Sequence, residues 1–214
     1  MTSSPPLPQS EEMLRQGFRL LNWFMRLMWR LGLGRWLNSW PGVLGRYLVI
    51  VHTGRKSGLR RTTPVNYAEI DGAVYVTAGF GAISDWYRNL KANPELEVWM
   101  PDGWWAGRAE EMTGTEGALD KMRQVLVGSG FVAPLMGVNP HTMPDKALAE
   151  ATKDYRLLRI DRLEARTGPG GPGDLAWVWP IATSVLVQLL VMSLSRRGRK
   201  KVKSTDQCRG AANN

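Results

Sequence analysis

TTPVNYAEIDGAVYVTA, residues 62–78, places two runs rich in β-branched and aromatic residues on either side of Asp71-Gly72. A two-residue Asp-Gly loop between such runs is a strong hairpin pattern, because both residues accept the positive φ that a tight β-turn requires. The stretch therefore predicts strands over 62–70 and 73–78. Upstream, Arg46 to His52 reads as an apolar strand. Downstream the period changes: SDWYRNLKANP, residues 84–94, predicts a short helix with Ser84 or Asp85 as its cap and Pro94 past its end. Glu95 to Met100, a turn at Asp102-Gly103 and Trp104 to Met112 form a second hairpin. Glu116 to Val127 reads as helical, and Tyr155 to Leu163 as a last strand. Six strands with inserted helices predict an α+β fold, a small antiparallel barrel.

Composition sets limits on function. The 214 residues hold one cysteine, Cys208, and two histidines, His52 and His141, so neither a disulfide nor an ordinary zinc site is expected. The net charge of +9 suggests nucleic acid until it is located. Residues 41–195 carry 16 Lys and Arg against 16 Asp and Glu, residues 1–40 five against two, and residues 196–214 seven against one. A body that gripped a phosphate backbone would carry the surplus itself, so no nucleic-acid partner is expected.

Both ends carry membrane-like patterns. Between Glu11 and Trp36, the residues Glu12, Arg15, Arg19, Asn22, Arg26 and Arg30 fall on a narrow helical arc, and Leu14, Leu20, Leu21, Phe24, Leu27, Met28 and Leu31 cover the rest. Such a helix, with Trp23, Trp29, Trp36 and Trp40, suits a headgroup boundary where arginines meet anionic lipid; it also suits packing on a core. WVWPIATSVLVQLLVMSL, residues 177–194, has 18 uncharged residues followed by RRGRKKVK. At ~1.5 Å per residue it reaches roughly 27 Å, marginal for a hydrocarbon core. MTSSPPLPQSEE lacks the pattern of a cleaved signal peptide. The expected organisation is an amphipathic helix in 1–40, a barrel domain over 41–166, a Gly/Pro linker over 167–176, an apolar anchor helix over 177–195 and a basic tail over 196–214. The anchor or interfacial segment would hold the barrel at the cytoplasmic face of the cell membrane, with lipid as a partner.

HTGRKSGLRRTTP, residues 52–64, gathers four cations and two glycines between two strands. By itself it reads more readily as a solvated turn than as an anion site. The order TGRKSGLRRTTP, the Asp-Gly hairpin, AGFG and DWYRNLKANPELEV resembles the deazaflavin-dependent nitroreductase family, which includes quinone reductases, over roughly residues 44–164. The resemblance implies a split β-barrel of the FMN-binding-like type and coenzyme F420, a deazaflavin with a phosphodiester and an oligoglutamate tail. It also implies hydride transfer from the reduced coenzyme to a lipophilic small molecule: a quinone, a nitro compound or an activated alkene. FMN on the same fold, or a non-catalytic carrier of a deazaflavin or acidic lipid, are the alternatives, and a homodimer is a further expected partner.

The resemblance assigns the anionic part of the coenzyme to Gly54, Arg55, Lys56, Ser57, Gly58, Arg60, Arg61 and Pro64, the glycines shaping a nest of backbone N–H groups. The ring would meet Ala78, Gly79, Phe80 and Gly81, with Trp86 and Tyr87 as walls, Arg88 and Lys91 reaching toward the phosphate or glutamates, and Asn89 bonding backbone in the connecting loop. Tyr67, Tyr87 and Ser84 are candidate proton donors, with no catalytic residue singled out. The family's acceptor-shaping tyrosines near the end of the domain have one counterpart, Tyr155, and His141 is a candidate pocket residue.

Overall fold

The computed structural model describes residues 9–39 and 45–192, side chains included from residue 19 onward. Trp40 and the basic tail over 196–214 lie outside the described residues. Six strands, β1 (Tyr47–Thr53), β2 (Arg60–Ile70), β3 (Ala73–Ala78), β4 (Glu95–Met100), β5 (Gly103–Glu111) and β6 (Arg156–Ala165), close into one antiparallel barrel in the order β1-β2-β3-β6-β5-β4. The Asp71-Gly72 turn joins β2 to β3 with both residues at positive φ, 50° and 79°, as the hairpin pattern requires. Strand ends move by up to two residues from the sequence-based bounds.

Side-chain alternation sorts the strands into an inner and an outer face. Inside, Leu48, Ile50, Val65, Tyr67, Val74, Val76, Ala78, Val98, Leu158 and Ile160 form one buried cluster. The helix of the DWYRNLKA run, here α3 (Asp85–Ala92) after α1 (Gln9–Arg30) and α2 (Gly34–Leu37), adds Tyr87 and Leu90 to it. Outside, α4 (Ala118–Val127) lays Met122, Val125 and Leu126 over Ala68, Tyr75 and Leu157, with α5 (Val132–Leu135) and α6 (Asp145–Ala151) beside it. Trp29 of α1 packs on Val49, Val51 and Trp99, on the outer face of β1 and β4.

Helix α1 docks on the barrel through Met25 and Trp29, both buried. On its polar arc Asn22 and Arg26 are half-buried and Arg19 and Arg30 exposed, Arg30 holding Asp174 through two nitrogens at 2.9 Å. Away from that contact Leu20 is 67% and Trp23 54% exposed, with Phe24 exposed beside them and Trp36 exposed on α2. The Gly/Pro stretch is likewise not a free linker up to residue 174. The Gly173 N–H donates to the Trp29 carbonyl at 2.9 Å, the Gly170 carbonyl accepts from Arg60 at 2.9 Å, and Gly171 is buried against Trp104. Compactness divides the chain after Asp174. In the second unit a helix runs over 178–192, the residues from 179 to 192 all exposed. Among the described residues no helix is long and apolar enough to cross a membrane.

Candidate functional site: two adjoining clefts

Two clefts meet at Thr63, Asp85 and Trp86, which line both. The first, about 590 Å³, is cationic: its walls carry Arg55, Lys56, Arg60 and Arg61 of the basic turn and Arg26 of α1, with His52 and Asn89 beneath. The second, about 460 Å³, is largely apolar. Its floor is the outer face of β1, β2 and β3, through Tyr47, Pro64, Asn66 and Thr77. Leu126, Val132, Ala133 and Met136 form one wall, Leu21 of α1 another, and Gly79, Phe80, Ile83 and Tyr155 the mouth.

The basic turn works through side chains more than through amides. Gly54 N–H donates to Leu59 O, Ser57 and Gly58 N–H both donate to Gly54 O, and Arg55 N–H donates to Asn89 Oδ1. The expected nest of free amides is thus largely closed by the turn itself. Gly58 supplies the left-handed φ of 65° that the turn needs, and a Cβ on Gly54 would lie 2.8 Å from Arg61 Nε. Arg55 is held by Asp85 at 3.0 Å and by Asn89 at 2.9 Å, and Arg60 by Glu97 at 2.8 Å. Among the described residues Lys56 and Arg61 make no ion pair. Those two cations, with Arg26, are the ones most open to a ligand anion.

Beneath the turn runs a buried chain that the sequence did not announce. Asn89 Oδ1 accepts from Arg55, so its amide nitrogen is the end that faces His52 Nδ1, at 3.2 Å. His52 Nδ1 therefore accepts, Nε2 keeps the proton and donates to Thr63 Oγ1 at 3.1 Å, and the Thr63 hydroxyl is left to donate at the junction of the clefts. Burial, helped by nearby Arg61 and opposed by a hydrogen bond with the Thr53 backbone, lowers the His52 pKa to about 4, which keeps this arrangement neutral at ordinary pH. His52, Thr63 and Arg26 line the cationic cleft without having stood among the expected site residues. The first two lie near the ends of the quoted stretch, and the third stood on the helical arc that suited either lipid or a core.

Other expected site residues are placed elsewhere. Ala78 is buried inside the barrel, and Gly81 is packed so closely that a Cβ would meet the Asp154 carbonyl at 2.2 Å. Tyr67 lies in the interior, outside both clefts. Tyr87 also packs in the interior, and its phenol donates to Glu111 at 2.9 Å. Burial first, then Glu111, raise its pKa, so it neither walls a cleft nor offers a proton there. Lys91 pairs with the same carboxylate at 2.8 Å, and Arg88 donates to the Ala82 carbonyl at 2.7 Å; neither lines a cleft. Both were expected near the coenzyme's acidic part, but the helical face they share points away from the basic turn that Asn89 holds. Ser84 does reach the apolar cleft, as do Gly79, Phe80, Pro64 and Trp86. His141 is exposed on its loop.

Among solved structures, the barrel is similar to an F420-H2 dependent reductase, FDR-A, at 22% identity over 54% of this chain and 94% of that one, TM-score 0.39. It is similar to HutZ, the heme storage protein from Vibrio cholerae, at 13% identity over 60% and 89%, TM-score 0.42. A conserved hypothetical protein from Mycobacterium tuberculosis matches at 17% identity over 57% and 74%, TM-score 0.40. Likenesses at this level say nothing about activity. The family assignment rests on sequence: the F420H(2)-dependent quinone reductase family matches residues 26–130, which hold the basic turn, AGFG and α3. That match, with the motif order already described, places this domain in the F420H(2)-dependent quinone reductase family, and the protein is an F420H2-dependent oxidoreductase.

Proposed function

We propose that the protein reduces a lipophilic acceptor, a quinone before a nitro compound or an activated alkene, with F420H2 at a membrane surface. The observation that carries this reading is the junction of a cationic cleft with an apolar one. The donor set fits the coenzyme's chemistry. Lys56, Arg61 and Arg26 suit the phosphodiester and glutamates, while Trp86, Thr63, Pro64 and Gly79 suit a flat heterocycle at the junction. A Cβ on Gly79 would come within 3.8 Å of Tyr155, so the glycine keeps that edge low.

Reduced F420 supplies a hydride. The protein's part is to orient and to exclude water. Arg55 ties the turn to α3 through Asp85 and Asn89, fixing the cations relative to Trp86. His52 holds the Thr63 hydroxyl in one orientation. Leu126, Val132, Ala133 and Met136 keep the acceptor's side of the junction dry, which strengthens every polar contact made there. The lipophilic acceptor is also supported by the outward apolar side of α1 and the exposed helix over 178–192, two surfaces suited to an interface.

The test is turnover of F420H2 by the purified chain with a soluble quinone, a nitroimidazole and an activated enone in parallel. Quinone reduction with the largest kcat/KM supports the reading. Reduction of the nitro compound or enone alone would reassign the acceptor. Tight F420 binding without turnover of any of the three would favour a carrier.

A further inference from the structure

The floor of the apolar cleft contains a polar row, two of whose three side chains have no hydrogen-bond partner among the described residues. Tyr47 pairs with Asn66 across β1 and β2, and one rung beyond the Tyr67–Val76 pair of β2 and β3 brings Asn66 level with Thr77. All three side chains line the cleft. Tyr47 is only 7% exposed, and among the described residues neither its hydroxyl nor that of Thr77 has a hydrogen-bond partner. Burial raises the Tyr47 pKa; the Asn66 amide lies near enough to pull the other way without reaching hydrogen-bond geometry, its nitrogen donating instead to the Arg46 carbonyl at 3.2 Å.

Two buried hydroxyls without protein partners are a net cost to the fold, since each has left water for no bond in return. Phenylalanine and valine would fill the same space without that cost. Val125, Leu126, Val132, Ala133 and Met136 make one wall apolar, while Arg19, Asn22, Ser84, Asp85 and Ser129 bring polar groups elsewhere in the lining. A ligand lying between that wall and the strands is therefore largely hydrocarbon there, with a hydrogen-bond acceptor on the side that meets the strands.

We infer that Tyr47 and Thr77 form the acceptor-carbonyl site, their hydroxyls donating to one oxygen of a cyclic diketone of the quinone class held in this cleft. This rests on the proposed quinone-reductase reading and extends it to named atoms. Negative charge gathers on a quinone oxygen as its ring is reduced, so donors fixed at that oxygen act where charge develops. The Tyr47 backbone is itself fixed: Asn38 accepts from its N–H at 2.8 Å and donates to its carbonyl at 3.0 Å. The phenol is thus mounted on a rigid strand end.

The test uses the full chain, wild type and the variants Tyr47→Phe and Thr77→Val, with calorimetric titration of a soluble 1,4-naphthoquinone and of naphthalene, which has the same ring system without oxygen. Each variant should bind the naphthoquinone about tenfold more weakly, bind naphthalene unchanged, and melt no lower than wild type. In turnover, KM for the naphthoquinone should rise while F420 affinity stays the same. Equal naphthoquinone affinity in variants and wild type would overturn the inference and leave the quinone-reductase reading standing. So would equal weakening for both ligands, the mark of altered packing. A wild-type chain that binds no naphthoquinone would overturn both.

Discussion

At the residue scale the basic turn divides its labour. Arg55 is bound to Asp85 and Asn89 and so belongs to the scaffold, whereas Lys56 and Arg61 stand without ion pairs beside the cationic cleft. Lys56→Ala and Arg61→Ala should each weaken F420 binding about tenfold, ~1.4 kcal/mol, with an unchanged melting temperature. Arg55→Ala should lower the melting temperature, by the ~1–2 kcal/mol typical of a lost charge-assisted network, as differential scanning fluorimetry would show. His52 adds a pH dependence. Unfolded, its imidazole titrates near 6.5, and folded near 4, so the unfolded chain takes up the proton first. Stability is then fully present above about pH 6.5 and falls as pH drops toward 4, by on the order of 2 kcal/mol. Melting curves between pH 4 and 7 should show this slope in wild type and lose most of it in His52→Gln. A slope unchanged in the variant would remove His52 from the account. The four cations were legible in the sequence because charge and glycine spacing are local. Their division was not, since it depends on Asp85 and Asn89, thirty or more positions away.

At the element scale, the barrel was legible because strands and hairpin turns leave a periodic record: Asp71-Gly72 joins β2 to β3 as read, and β3 and β4 keep their expected ends. The clefts were not legible, because they arise between elements. Tyr47, Asn66 and Thr77 share a row only through strand register, and Arg26 faces the turn only once α1 docks. Helix α1 shows the limit most clearly. Its two faces were evident, but periodicity gives no sign of which one meets the body; the burial of Met25 and Trp29 does. On the membrane-surface proposal, the outward Leu20, Trp23 and Phe24 would carry the binding through apolar contact. Binding to vesicles should therefore weaken severalfold or more in a Leu20→Gln/Trp23→Gln/Phe24→Gln variant, and raising salt should matter less than that substitution. Flotation with neutral and anionic vesicles separates these effects. Strongly salt-dependent binding unaffected by the triple substitution would restore an arginine-led interface.

At the scale of the whole molecule, the +9 charge proved misleading until it was partitioned between body and ends. Glycine and proline composition suggested a free linker over 167–176, because composition carries no mark of docking. Arg30–Asp174, Gly173–Trp29 and Gly171–Trp104 tie that stretch to the first unit. A chain ended after Asp174 should melt close to full length, whereas one ended after Arg166 should melt several degrees lower, having lost the bidentate Arg30 pair and the cover over Trp29 and Trp104. Equal melting of the two would show that the stretch adds nothing to the body. The central claim, that the paired clefts hold an acidic-tailed deazaflavin, is tested most directly by equilibrium titration of the full chain with oxidised F420 and with FMN across a range of salt. The account predicts that F420 binds far more tightly than FMN and loses affinity steeply as salt rises, with a shallower loss in Lys56→Ala and Arg61→Ala. FMN binding as tight as F420, or F420 binding indifferent to salt and to both substitutions, would contradict it.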